Sequence, residues 1–507
     1  MEKSFYNLSG GLNQALTKTE LGSNTNKVFW SDCENVEIYK NRGIIQQKGN
    51  TLFVKLPIEE KIVTIKEISK KESLKLFIAT DSGKMYIYDY DSKALTLLSK
   101  TIQGKNLKTA TFLDGLLVIT ENDGLFFIKN NPNYDIVDCN LKDDDNNTIT
   151  NGIIAIYGGR VWVAKDSTIY YSALGTYDNF TQENDAGYIK DFYTKTDYIT
   201  ALKPYRDYLA IYKKNSVYLL SGTSEDDFKI QPLADMGTLS SEAIVNVQNK
   251  QYFLNHGIYP LEEIGELNQI RVGSNIADLI KTEFENFDST KLSKAICIHY
   301  TKKNQIWYFI PQTANEYFNK VYIFDYENGA WNKRIIPQNI TCACIYNNNV
   351  LTGDNKGNIY VEDTGKTFNG EAVKFMWKSP FFTLTSPHKR KIVDEFYFLL
   401  DDEHDNKFKM SLYKDYDGIL YDDTEEIYSV QKEQLYYASD DDTFDNLPCF
   451  WGEDNEGLPI WAVNKEVLEK AEISGSNFSV QICIKGEDLT SSCAIIGLQF
   501  REIYLDE

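Results

Sequence analysis

The residues of this 507-residue chain that could do chemistry are few and far apart. A hydrolase gripping an acidic sugar needs several arginines around one carboxylate, beside an acid/base pair. The seven arginines here, Arg42, Arg160, Arg206, Arg271, Arg334, Arg390 and Arg501, fall one to a region. The Ser-x-Asp-x-Gly-x-x-Trp turns of hydrolytic propellers are missing, and YSALGTYDNF at 171–180 is a distant echo of one. His256, His299, His388 and His404 have no zinc-ligand spacing with one another or with a cysteine pair. Cys342 and Cys344 share one face of a strand, the geometry of small buried residues and not of Cys-x-x-Cys chemistry. DYDGILYDD from Asp415 resembles the start of a calcium loop, but Leu420 stands at the sixth position where such a loop needs Gly, and the segment reads as a solvated turn. GGLN at 10–13 follows no strand and opens no helix, so it is no phosphate loop. The expectation is a protein with no catalytic, cofactor-binding or metal-binding residues, and no enzyme.

The elements around these residues have a clear period. An apolar strand, a polar turn and a second strand rich in Tyr, Phe or Ile recur seven times between residues 76 and 365. The copies begin at Leu76, Leu116, Arg160, Leu209, Gln251, Ile306 and Val350, as in LFIATDSGKMYIYDY and VLTGDNKGNIYVED. Such an interval suits small antiparallel sheets packed radially. Gly83, Gly124, Asn215, Gly257 and Gly357 stand where the hairpins would use a positive φ. A lone hairpin cannot cover its apolar face, so the units must stack into a closed or nearly closed ring. The fold class expected is all-β: a β-propeller of six or seven blades, an N-terminal extended arm and a C-terminal β-sandwich.

The expected domains are 1–55, an arm ending in a hairpin whose turn holds Asn41, Arg42 and Gly43 and which pairs with the first blade; 56–370, the propeller; and 371–507, the sandwich. In FSVQICI, Phe478, Val480, Ile482 and Ile484 share one face and Ser479, Gln481 and Cys483 the other. Residues 422–476 form an acidic insert with Asp440, Asp441 and Asp442, and with Trp451 and Trp461 in an aromatic stretch. Short helices are expected over Asn275 to Asn286, capped by Ser274, and over Lys465 to Ala471.

Fifty-three basic residues against 74 acidic ones give a net charge of −21. Nucleic-acid affinity comes from Lys and Arg displacing counterions, so this balance disfavours a nucleic-acid reader and suits a solvated exterior or a surface DNA slides past. The one basic cluster, Lys389, Arg390 and Lys391, reads as an edge-strand device against aggregation or a contact for an acidic partner. Eight scattered cysteines, and an amino terminus without a signal-peptide core, point to a reducing cytoplasm as the place of synthesis. No apolar run is long enough for a membrane span.

Several segments in order carry a resemblance: GGLN at 10–13, the stretch Asn35 to Gly49, RVWVAKDSTIYYSALGTYDNF, YRDYLAIYKKNSVYLLSG, MGTLSSEAIVNVQNKQYFLNHGIYPL and WKSPFFTLTSPHKRKIVDEFYFLLDD. The set resembles the propeller-bearing tail proteins of short-tailed bacteriophages, known as tail nozzle, tail tubular or packaged-DNA stabilisation proteins. It departs at Lys48, where that family often carries Arg, and in the 422–476 insert. The resemblance implies a structural virion protein acting in genome ejection. Its copies would form a homo-hexameric ring below the portal and adaptor, with genomic DNA passing through without sequence-specific binding. Two other readings stay open: a receptor-binding or glycan-processing phage propeller, hinted at by Trp451 and Trp461, and a host scaffold that docks peptides on a propeller face.

Overall fold

The structure is a computed structural model in which short antiparallel sheets dominate. It describes residues 2–23, 26–70, 73–181, 185–190, 197–265, 269–312, 317–384, 391–401, 404, 406–414, 416, 427–429, 450–453, 459–462, 479–490 and 492–504. Two compact units emerge. One comprises Met1–Gly49, Glu327–Arg334 and Thr364–Glu507, and the other Asn50–Tyr326 and Ile335–Asp363.

The second unit is propeller-like. Its described residues form seven successive sheets whose first strands are Ile62–Lys70, Leu107–Phe112, Ile153–Tyr157, Ile199–Tyr205, Ile244–Val247, Ile296–Tyr300 and Ile340–Tyr346. Neighbouring first strands approach one another and so lie innermost, and the strand of sheet seven reaches that of sheet one. Asn50–Lys55, which immediately precedes sheet one, pairs with Asn358–Glu362 of sheet seven. Val54, Ile62, Ile78, Cys342, Cys344 and Ile359 share the apolar core at this closure.

The seven sequence copies are the middle hairpins of these sheets, such as Ser73–Thr80 with Met85–Asp89. Middle strands are covered on both faces, as Gly115–Thr120 is along its whole length, which makes them continuously apolar. At their turns Gly83 and Gly357 take φ of +86° and +80°. Gly124, Asn215 and Gly257 do not have positive φ. A Cβ at Gly257 would lie 2.6 Å from the Asn275 amide, and one at Gly124 2.4 Å from Thr148 Cγ2, so packing and not dihedral freedom selects glycine there. The helix expected from Asn275 divides into a 3₁₀ turn, Ile276–Ile280, and α-helical turns Lys281–Phe284 and Ser289–Leu292. Its cap is Asn275, not Ser274, because the Asn275 side chain accepts from Ala277 N at 3.0 Å.

The first unit corrects the expected arm and boundaries. Residues 2–49 share a compact body with residues 364–507, and the other unit begins at Asn50 and ends at Asp363, not at 56 and 370. One five-stranded sheet is centred on Ala494–Tyr504, which pairs with Lys391–Leu400, Glu2–Phe5 and Gly43–Gln46; Val36–Tyr39 continues beyond the last. The hairpin Val36–Tyr39/Gly43–Gln46 turns through Lys40, Asn41 and Arg42, and it joins this sheet instead of a first blade. The second sheet runs Asp32–Glu34, Phe375–Lys378, Val480–Gly486, Lys407–Lys414, Ile427–Ser429. Phe5, Phe382 and Phe500 cluster with ring centroids 4.5–5.8 Å apart.

The alternation of FSVQICI does not mark an exposed face, since Ser479, Gln481 and Cys483 are as buried as Val480 and Ile482. The Gln481 amide donates to Ser379 O at 2.8 Å, which makes its burial tolerable. Lys389, Arg390, Asp415, Asp440–Asp442, the expected Lys465–Ala471 helix and most of the 422–476 insert lie outside the described residues, as do the side chains of Lys391, Trp451 and Trp461.

Candidate anion site enclosed by the first strands

The first strands of the second unit are edge strands, so their polar side chains can reach the space they enclose. Three of them carry a lysine next to a buried apolar residue: Lys66 beside Ile65 in sheet one, Lys108 beside Leu107 in sheet two, and Lys203 beside Leu202 in sheet four. Glu242 stands just before the first strand of sheet five. Its loop is fixed to sheet six: Cys297 N donates to Glu242 O at 2.9 Å, and the Ser240 hydroxyl donates to Ala295 O at 2.8 Å.

Sheets two and five are not neighbours in the stacking order, yet Lys108 Nζ lies 3.1 Å from Glu242 Oε1. The ion pair therefore crosses the enclosed space. Half of the Glu242 side chain, 51%, is open to water. Its carboxyl is held down at about 2, first by Lys108 against the opposing effect of burial, then by Lys66 and Lys203. Confinement pushes the Lys203 ammonium below its ordinary range, only partly offset by Glu242. Among the described residues, Lys66 and Lys203 form no hydrogen bond or ion pair through their ammoniums. Glu67, the acidic neighbour of Lys66, is turned to the backbone N–H of Asn347 at 2.7 Å. Lys108 pairs directly with Glu242, and Lys66 and Lys203 lie near enough for their charges to act on it, which concentrates a positive field on one side chain.

The residues singled out in the sequence do not meet here. Arg160, 2% exposed, donates to Ser172 O at 2.9 Å and Thr223 O at 3.1 Å and pairs with Asp185. Arg206 pairs with Glu263, and Arg271 with Glu262 at 3.3 Å. Arg334, 1% exposed in the first unit, forks onto Lys48 O at 2.7 Å and Gly49 O at 2.8 Å, with its guanidinium 4.8 Å from the Phe368 ring centre. Lys48 thus enters through its carbonyl, and its side chain is exposed. His299 meets the Tyr326 hydroxyl at 3.1 Å and is pushed down by burial, and His404 lies between Ser492 and Tyr39 at 3.2 and 3.3 Å. Cys342 and Cys344 are buried thiols pushed up by desolvation, Cys342 to about 12. Among the described residues, no three His, Cys, Asp or Glu are grouped to hold a metal ion, and no helix is long and apolar enough to cross a membrane. The lysines share no local motif because each belongs to a different repeat; the usable signal is a Lys beside a buried apolar residue in each of three first strands.

No family model matches this sequence, and no curated protein does. Among solved structures, the chain is similar to the crystal structure of the computationally designed Ika8 protein, with 11% identity and a TM-score of 0.38 over 62% of this chain and 99% of that one. It is also similar to YCF48 bound to D1 peptide, with 9% identity and a TM-score of 0.38 over 61% and 94%. At this distance neither likeness guides what this chain binds.

Proposed function

We propose that the chain is a structural subunit of a short-tailed phage tail, combining a closed seven-bladed β-propeller with a two-sheet β-sandwich. Six copies would form a ring below the portal and adaptor, extending the channel through which the genome leaves, and the subunit itself would carry out no turnover. The observation carrying this reading is that the N-terminal residues bearing the family resemblance act together as the lock of one body. A Cβ at Gly10 would stand 2.2 Å from Val28 O, and Gly11, at φ +70°, would bring one within 2.9 Å of the Trp331 backbone. Asn13 accepts from Ala15 N at 3.0 Å and Leu16 N at 3.2 Å. Asn35, at φ +51°, donates to Lys374 O at 2.7 Å. Cβ atoms at Gly43 and Gly49 would meet Ile495 O at 2.7 Å and Thr367 O at 1.9 Å. The four glycines answer to close backbone approach and the two asparagines to hydrogen bonds with the backbone, so the motifs belong together for a physical reason.

In such a ring, part of the −21 charge would line the wall shared by the copies, keeping duplex phosphates hydrated and unbound. The test is imaging and mass measurement of the purified chain, alone and with portal and adaptor. Symmetric rings with little affinity for duplex DNA at physiological salt are expected. A chain that stays monomeric with those partners, binds duplex DNA tightly, or turns over a glycan with loss on one carboxylate substitution overturns the reading.

A further inference from the structure

We propose that the space enclosed by the seven first strands is a binding site for a compact oxyanion of the phosphate class, held by Lys66, Lys108 and Lys203, with the Glu242 carboxylate occupying the anion's place when the site is empty. This is independent of the assembly reading, since it concerns the interior of a single subunit.

Lys108 pairs with Glu242 at 3.1 Å across the first strands, and Lys66 and Lys203, on two further first strands, lie near enough for their charges to act on the same carboxylate, so three ammoniums share one counter-charge. With Glu242 displaced, a dianion such as a phosphate or phosphate monoester compensates two of the three charges where a monocarboxylate compensates one. Lysine suits this role: a flexible stem carrying a point charge can close on a tetrahedral anion from any side, without the planar pairing an arginine fork demands. Only Lys108 is engaged by Glu242 at hydrogen-bond distance, so Lys66 and Lys203 have ammonium donors ready. Half of the Glu242 side chain is already in water, and it can swing out of the cluster without losing a buried environment. An incoming dianion would then take over Lys108 and add Lys66 and Lys203.

The experiment titrates the full-length chain with inorganic phosphate, and separately with glycerol phosphate, by calorimetry at fixed ionic strength with chloride as the control salt. Saturable binding at one site per chain is expected for phosphate and not for chloride. The double variant Lys66→Ala/Lys203→Ala should weaken it about tenfold or more, because each substitution removes a hydrogen bond to a charged group. That variant disturbs no hydrogen bond among the described residues, and circular dichroism checks its fold. Glu242→Gln should tighten binding several-fold by removing the competing carboxylate. Tighter binding of glycerol phosphate than of inorganic phosphate identifies a phosphorylated metabolite as the occupant, and the reverse identifies the free ion. No saturable binding, equal binding by the double variant, or weaker binding by Glu242→Gln overturns the proposal and leaves the cluster as a tie across the ring.

Discussion

Replacing Arg334 by lysine keeps the charge and removes the fork. In the native unit the guanidinium, 1% exposed, gives Nη1 to Lys48 O and Nη2 to Gly49 O at 2.7 and 2.8 Å. One ammonium cannot serve both carbonyls in that geometry, so at least one bond to a charged donor is lost, worth about 1.5–3 kcal/mol. The contact with Phe368 adds about 0.5 kcal/mol or more. A loss of about 2–3 kcal/mol follows, a large part of the roughly 5–15 kcal/mol that holds a domain. For a unit of about 200 residues this lowers the melting temperature by about 4–12 °C. Trp30, Trp331 and Trp377 belong to this unit and Trp162 and Trp307 to the other, so tryptophan fluorescence during heating follows both, and hydrogen exchange assigns the shifted transition to this unit. Lys48→Ala is the control: the carbonyl stays and only an exposed side chain goes, so its melting temperature should match wild type. Should Arg334→Lys melt within a degree or two of wild type, or Lys48→Ala fall as far as Arg334→Lys, the backbone fork is not what secures this segment.

Two further outcomes are expected. Ile62, fully buried where sheet seven meets sheet one, accepts from the Thr341 hydroxyl through its carbonyl at 2.5 Å, so Ile62→Ala tests the apolar contact alone; it should cost about 2–5 kcal/mol and Ile62→Val about 1 kcal/mol in urea unfolding, and equal effects would deny the closure a packed core. Glu242 has a folded-state pKa of about 2, below the ordinary value of 4.5, so its contribution to stability is present above pH 4.5 and is lost as pH falls towards 2; with half the side chain in water it stays below about 1 kcal/mol, and Glu242→Gln should flatten that limb of the melting-temperature profile, parallel profiles counting against the ion pair.

How legible the fold is in sequence depends on where each strand sits. Gly115–Thr120 and Arg160–Lys165 are covered on both faces and read as unbroken apolar runs, so the middle hairpins stand out. Innermost and outermost strands, such as Ile153–Tyr157 and Leu95–Leu97, are part-covered and short, and the sequence hides them. The N-terminal stretch reads as an arm because Phe5, Leu8, Leu12 and Trp30 follow no period. Yet Phe5 faces Leu498 in register and Leu12 N donates to Trp331 O at 2.7 Å, partners hundreds of residues away. The axial cluster is obscured for a related reason: its members share no local motif and meet only because the sheets stack in order around a common space.

The interleaving of the two units sets a timetable for synthesis. Glu2–Phe5, Asp32–Glu34 and Gly43–Gln46 find strand partners beyond residue 364, and Asn50–Lys55 waits for Asn358–Glu362. At roughly 5–20 residues per second, a ribosome needs about 16–63 s between the first segment and the start of the C-terminal one. Throughout that interval Phe5, Leu8, Leu12 and Trp30, all destined for burial, lack the C-terminal part of their unit, and Asn50–Lys55 has no strand to pair with until the last hairpin of sheet seven is made. A nascent chain of this design is therefore a client for hydrophobic-binding chaperones until nearly its whole length has emerged. A stall or premature stop anywhere before residue 358 leaves both units open at once, not one finished and one missing.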